Sequence, residues 1–180
     1  MPPGDDKDNL LFEGACGWYR QVDLESFGDT GVLVPFDSDL KALGFVFLGD
    51  LLCSAVALGV LRIYVSRENR TRAMVLVGTK NGALNVFGVF LDSRFADGAV
   101  ATTTTSRAVK NLPDKGIHRT VCAWKGMFAL NDEHQKHLNQ VKLIHGEPEP
   151  ADDTLSAVAK TLDSFSVRMN QATQGSGALC

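Results

Sequence analysis

Residues 55–91 read AVALGVLRIYVSRENRTRAMVLVGTKNGALNVFGVFL, and this stretch decides the fold. β-Branched and apolar residues dominate 55–66, 71–79 and 83–91, as is typical of buried strands. Polar residues 67–70 separate the first two runs, and Asn81-Gly82 follows the second in the pattern of a tight hairpin. Apolar side chains occupy both faces of the third run, which favours a central strand. The stretch therefore predicts an antiparallel meander.

Further strands are expected on either side of this meander. Residues 45–48 are apolar, residues 99–106 contain four consecutive threonines, and residues 118–124 are expected to form a final strand. Before the sheet, apolar residues in 10–27 recur at near-helical spacing, residues 32–34 look extended, and Asp37 or Ser38 is placed to cap a short helical turn that ends at Leu43.

Residues 43–61 are almost entirely apolar, with Asp50 as the single charge. The length approaches that of a membrane-spanning helix, but a mid-segment aspartate is costly in lipid and three glycines interrupt the run. Two buried strands with a turn at Gly49-Asp50 explain the pattern better. A buried helix over residues 51–61 remains the alternative, because a short apolar run does not distinguish helix from strand.

The hydrophobic period changes after Gly126. Apolar residues and histidines recur every three or four positions up to Gly146, which predicts an amphipathic helix capped by Asn131 or Asp132. Residues 147–150 (EPEP) form a stiff acidic spacer, and Asp152 or Asp153 is placed to cap a last helix. The apolar stripe of that helix comprises Leu155, Val158, Leu162, Phe165 and Met169.

Strands followed by helices predict an α+β fold, with an antiparallel meander of about five or six strands and the C-terminal helices packed on it. The chain has 180 residues, of which 44% are apolar, and this suits one globular domain. We expect a disordered lead at 1–9, a single α+β domain at 10–146, the spacer and C-terminal helix at 147–170, and a flexible tail at 171–180.

Charge is distributed unevenly along the chain. Residues 10–59 hold seven acidic and two basic side chains, whereas residues 60–125 hold eleven basic and four acidic ones. The segment from Glu147 onward is again acidic. Two interpretations stay open: the oppositely charged surfaces face one another or are solvated, or the basic middle segment forms a face for an anionic partner.

Four cysteines are far apart in the sequence, and no Cys-x-x-Cys pair occurs. Free thiols in a cytoplasmic protein are therefore expected. Cys16-Gly17-Trp18 near the start of a possible helix is compatible with a cysteine-dependent hydrolase in which His118 or His134 acts as the base. The rest of the local papain-like pattern is missing, so this reading rests on residue order alone.

Other chemical motifs are weak or missing. Glu133-His134-x-x-His137 places two histidines on one helix face, but no third ligand is evident nearby, so we expect no metal and no cofactor. The chain has no glycine-rich phosphate loop. Aromatic residues do not alternate with the arginines of residues 67–72, which argues against a nucleic-acid partner.

Three short patterns resemble an uncharacterised family of bacterial proteins of similar size. They are Leu43-Gly44-Phe45, the step from Phe95-x-Asp97-Gly98 into the threonines of 102–105, and Leu130-x-x-x-His134 after a proline-containing loop. The resemblance extends from Leu40 to Val141 and implies the same fold. It implies no activity, cofactor or catalytic residue.

The residues favour a non-enzymatic binding or interaction domain for a small anionic molecule or a partner protein. Arg62, Arg72 and Arg119 would anchor an anionic ligand, with His134 as a further ligand-binding candidate. The cysteine-dependent hydrolase is one alternative, and peripheral membrane association through the basic middle segment is another. A homo-oligomer is compatible with either kind of binding.

Overall fold

A computed structural model describes residues 19–53, 59–106 and 116–164. The lead (1–9), the tail (171–180), Cys16, and residues 165–170 of the predicted last helix lie outside these ranges. The strands are β1 (Tyr19–Val22), β2 (Val46–Cys53), β3 (Gly59–Ser66), β4 (Thr71–Lys80), β5 (Ala83–Arg94), β6 (Val100–Thr104) and β7 (Ile117–Val121). The helices are two short 3-10 turns (Leu24–Phe27 and Thr30–Leu33), α1 (Val34–Ala42), α2 (Met127–His145) and α3 (155–164).

All seven strands of the described residues form one sheet, and their spatial order follows the chain order. Every neighbouring pair from β1 to β6 is antiparallel, so the predicted α+β meander is confirmed, with slightly more strands than expected. β7 is parallel to β6, because Ile117 lies beside Val100 at the start of that strand. The last strand therefore departs from a pure meander.

Both faces of the sheet are covered, and the two faces have separate cores. We call the face that packs against α1 and the start of α2 face A. Its core includes Leu40, Tyr64, Val75, Val89, Leu91, Met127 and Leu130. Face B packs against α3, and its core includes Leu51, Ile63, Met74, Leu155, Val158 and Leu162. A third cluster joins α2 to Phe95, Ala99 and Ala101. The described part of the apolar stripe predicted for the last helix (Leu155, Val158 and Leu162) therefore packs on face B.

The predicted turn at Gly49-Asp50 is wrong, because β2 runs straight through these residues. A bulge between Phe47 and Gly49 shifts the register with β3 instead. Gly49 has a φ of 148°, and a Cβ at this position would come within 2.7 Å of the Leu155 side chain. Glycine here accommodates the bulged backbone and lets α3 approach the sheet.

Four other elements also differ from the predictions, in their type or in where they begin. Tyr19–Val22 is a strand rather than part of a helix, and α1 begins at Val34 with Pro35 in its first turn, where a missing N–H costs nothing. α2 begins at Met127 rather than near Asn131. Thr154 caps α3, since its Oγ1 accepts a hydrogen bond of 3.2 Å from the Ala157 amide. The predicted end of α2 at Gly146 is confirmed.

None of the helices in 19–53, 59–106 and 116–164 is both long enough and apolar enough to cross a membrane.

The packing of α3 on face B predicts a clear difference between two leucine substitutions. Leu162→Ala should lower the free energy of unfolding by about 2–4 kcal/mol, because it leaves a cavity in the core of face B. Leu143→Ala is the control, because this α2 side chain is 88% exposed and its loss should cost less than about 0.5 kcal/mol. Urea denaturation measures both. Equal effects would contradict the burial of face B by α3.

Candidate functional site

The four predicted ligand-binding residues do not converge on one site. Arg62 lies opposite Val75 on face A, and His134 projects from α2 toward the same face. Arg72 and Arg119 belong to a cross-strand row on face B, in which Asp92 and Thr102 lie between them. The sheet therefore separates Arg62 from the other two arginines.

Arg62 is the centre of a charged network beneath α1. Its Nη1 donates to both carboxylate oxygens of Asp50, at 3.0 and 3.3 Å, while its Nε and Nη2 donate to Asp37, each at 3.1 Å. Its Nε also lies 2.8 Å from the Tyr64 hydroxyl, which in turn donates to Asp37. Asp50 and Tyr64 are buried strand residues, whereas Asp37 comes from α1. The network therefore ties the helix to the sheet.

One side of the Arg62 guanidinium faces an aromatic ring. The Arg62 Cζ lies 4.2 Å from the centre of the Phe47 ring, and that ring lies 5.4 Å from the Tyr64 ring. A guanidinium over an aromatic face is attracted by the ring quadrupole. Because Phe47 is 46% exposed, this stack lies at the protein surface.

A pocket of about 370 Å³ opens beside this stack, and we call it the Arg62 pocket. Apolar side chains provide most of its wall, and a few charged groups lie among them. Its lining residues are Asp37, Lys41, Phe45, Val46, Phe47, Arg62 and Tyr64. Within the described part of the chain, the ammonium group of Lys41 forms no hydrogen bond or ion pair.

Burial changes the protonation of the groups around the pocket. Loss of water raises the pKa of Asp50 to about 6, although the adjacent Arg62 charge opposes this shift. Burial and the hydrogen bond to Asp37 both raise the pKa of Tyr64, so its hydroxyl stays protonated. Burial alone would lower the pKa of Arg62, but its bonds to Asp37 and Asp50 raise it overall. The network therefore gains one positive charge when Asp50 takes up a proton.

His134 is fully buried and belongs to a chain of side-chain hydrogen bonds. The Thr71 hydroxyl donates to the Asn69 carbonyl at 2.9 Å, so it must accept from the Ser93 hydroxyl, also at 2.9 Å. Ser93 then accepts from His134 Nε2–H at 3.1 Å, and His134 Nδ1 accepts from Thr103 at 3.1 Å. This order assigns the neutral Nε2–H tautomer to His134. The chain joins α2 to β5 and β6.

The other three histidines also lie where α2 packs against the last strands. His118 Nε2 on β7 is 2.8 Å from His145 Nε2 on α2, and His145 Nδ1 is 2.5 Å from the Asp97 carboxylate. His137 approaches the Thr103 hydroxyl at 3.4 Å, and burial followed by the His118 charge lowers its pKa. These contacts fasten the end of α2 to the sheet. In the parts that the structure describes, no three histidine, cysteine or carboxylate side chains are arranged to hold a metal ion.

The predicted cysteine-dependent hydrolase is not tested by these contacts, because Cys16 lies outside the described residues. Its two candidate bases are engaged elsewhere: His134 with Ser93 and Thr103, and His118 with His145. Cys53 is buried, and Cys122 lines an apolar surface groove of about 460 Å³ with Phe87 and Trp124. Burial raises the pKa of the Cys122 thiol, which keeps it protonated.

Comparisons of the chain with protein-family models, curated proteins and solved structures found no match. The resemblance to a bacterial family therefore stays a prediction, and function has to be argued from the site itself.

The buried His134 predicts a loss of stability in mild acid. Burial, followed by the His137 charge, lowers the pKa of His134 from 6.5 to about 3, so between these values the unfolded chain binds a proton that the folded protein excludes. Stability is thus lost as the pH falls below about 6.5, with a cost from this residue of about 2 kcal/mol at pH 5.

Urea denaturation of the wild type and of His134→Gln across this pH range tests that prediction. Glutamine keeps a donor and an acceptor but does not titrate. The variant should be less stable than the wild type near pH 7.5, by roughly 1–3 kcal/mol, and should lose less stability on acidification. Parallel curves for the two proteins would mean that His134 has the same pKa in the folded and unfolded states, which would contradict the prediction.

Proposed function

We propose that this protein is a non-enzymatic binding domain whose Arg62 pocket holds a small anion with an apolar body, such as an aromatic carboxylate. The observation that carries the proposal is one pocket that combines the aromatic wall of Phe47 and Tyr64 with the Lys41 ammonium group, which has no partner among the described residues. The volume falls in the usual range for small-molecule sites, which are mostly apolar with a few fixed polar groups.

The division of roles within the pocket follows from its charges. Arg62 is already paired with Asp37 and Asp50, so little of its charge is left to neutralise a ligand. Its role is to hold the Phe47 ring in place on the pocket wall. Lys41 is exposed on α1 and is free to pair with a carboxylate. The apolar body of the ligand would then pack against Phe47 and Val46. This arrangement favours a ligand with a single charge at one end.

Asp50 makes this binding depend on pH. Near pH 7.5 the charges of Asp37 and Asp50 balance those of Arg62 and Lys41, whereas protonation of Asp50 near pH 6 leaves the site positive. An anionic ligand should therefore bind more tightly in mild acid. The Asp50 charge is separated from the ligand by the Arg62 guanidinium. Its removal should change the binding free energy of an anion by on the order of 1 kcal/mol, or about fivefold in affinity.

Calorimetric titration with benzoate, and with the neutral benzamide as its matched probe, tests the proposal. Benzoate should bind at one site, more tightly than benzamide, and its affinity should rise by about three- to fourfold between about pH 7.5 and pH 5.5, where it stays ionised. Benzamide affinity should not change with pH. Equal affinities for benzoate and benzamide would contradict the proposal that the pocket selects an anionic ligand.

Variants locate the site. Lys41→Gln should weaken the binding of benzoate by about tenfold and leave the affinity for benzamide unchanged. Lys80→Gln is the control: it removes an exposed charge outside the pocket and should change neither affinity. Phe47→Ala should weaken both probes, and Phe87→Ala is its control, because Phe87 is similarly exposed but lines the Cys122 groove. Loss of binding in Phe87→Ala instead would place the ligand in that groove.

A further inference from the structure

The strand β2 has neighbours on both sides over only part of its length. β3 pairs with it along residues 46–53, whereas β1 pairs with it only along residues 50–53. Within the described ranges, no backbone group forms a hydrogen bond with residues 46–48 from the β1 side. Strand residues direct their N–H and C=O groups alternately to the two sides, so part of this backbone is left without a partner among the described residues. We call residues 46–48 the open edge.

The side chains of the open edge do not protect it against pairing with another chain. Exposed edges of native sheets usually carry charged residues or proline, which discourage such pairing. Here the residues are Val46, Phe47 and Leu48, and the first two are 63% and 46% exposed. The bulge after Phe47 keeps the open edge short, so a strand added here needs a further contact to bind firmly.

The Arg62 pocket lies at one end of the open edge and supplies that contact. Val46 and Phe47 belong to the open edge and also line the pocket, while Lys41 lies in the last turn of α1, shortly before β2 begins. A strand antiparallel to β2 runs toward the beginning of β2, so its C-terminal end arrives beside Lys41. The Lys41 ammonium group, which has no partner among the described residues, can pair there with a carboxylate.

From the open edge and the cation at its end, we infer that this site binds the C-terminal segment of a partner protein as an added antiparallel strand. The inference rests on the proposed function, and it identifies the anion with an apolar body as the last residue of a peptide. Hydrogen bonds between the backbone of the peptide and the open edge hold an extended segment of almost any sequence. The pocket then selects a free C-terminal carboxylate on a large apolar residue, whose side chain packs against Phe45 and Phe47.

Calorimetric titration of the full chain with an acetylated peptide, Thr-Val-Thr-Val-Leu with a free C-terminal carboxylate, tests the inference. The peptide acid should bind at one site and at least about tenfold more tightly than benzoate, because it adds backbone hydrogen bonds to the open edge. The same peptide with a C-terminal amide should bind about tenfold more weakly than the acid, since it lacks the charge that pairs with Lys41. Lys41→Gln should abolish this difference, whereas the Lys80→Gln control should keep it. Equal binding of acid and amide to the wild type would overturn the inference.

Two singly N-methylated versions of the peptide acid separate strand pairing from side-chain contacts. One carries the methyl group on the second-last residue and the other on the third-last residue, and each is the matched control of the other. Only alternate N–H groups of an added strand face β2, so one peptide should lose about tenfold in affinity and the other should change little. Equal effects of the two methyl groups would mean that the peptide does not pair with the open edge, and would overturn the inference.

The benzoate titration distinguishes failure of this inference from failure of the proposed function. If benzoate binds and the peptide acid binds no more tightly, the pocket holds a small anion but the open edge accepts no strand. That result would overturn the inference and leave the proposed function intact. If neither benzoate nor the peptide acid binds, both the inference and the proposed function are contradicted.

Discussion

The burial of charged side chains in a sheet that is covered on both faces is the constraint on which the rest of this structure depends. A charged group without a partner is costly away from water, so each such residue has to find an opposite charge or a hydrogen bond within the fold. Asp50 and Arg62 meet on face A, and Arg72 and Asp92 meet on face B. In both pairs the residues are direct neighbours on adjacent strands, and the register of the sheet brings them together.

The same constraint gives rise to the candidate site on face A and to an incompletely paired arginine on face B. On face A, Arg62 has two carboxylates as partners, and the second of them, Asp37, fixes α1 beside the sheet and opens the pocket between them. On face B, the single contact between Arg72 and Asp92 leaves the Arg72 Nε–H and the Asp92 Oδ1 without a hydrogen-bond partner among the described residues. The His134 chain shows a third outcome, in which neutral polar groups satisfy each other completely and no site remains.

Much of the fold could be predicted from the sequence because local patterns are strong. Asn81-Gly82 forms the predicted hairpin turn, with φ of 54° and 78°, and the stripe of the last helix is buried at Leu155, Val158 and Leu162. The acidic segment after Glu147 does lie against arginines of the basic middle segment, as one of the two interpretations of the charge pattern expected. The turn at Gly49-Asp50 was wrong because a charged residue after glycine is typical of a turn, whereas here the charge is buried and paired across strands.

The candidate sites were only partly predictable. Arg62 and Arg72 could be singled out as charged residues in apolar runs, but their partners depend on strand register and on which face each element covers. An isolated Asp50 in one apolar strand and an isolated Arg62 in the next were a usable signal for a buried pair. Lys41 and Phe47 gave no such signal, because exposed lysines and scattered surface aromatics are ordinary features of a protein sequence.

The protonation of Asp50 is the most direct measure of how burial and pairing balance in this fold. Its carboxyl carbon can be followed by ¹³C NMR across a pH titration, first in the free protein and then with benzoate bound. We predict a midpoint near pH 6 in the free protein, which moves upward with benzoate because a bound anion and a proton on Asp50 favour each other. A midpoint near the ordinary value of 3.8, unchanged by benzoate, would contradict both the burial of Asp50 and its coupling to the Arg62 pocket.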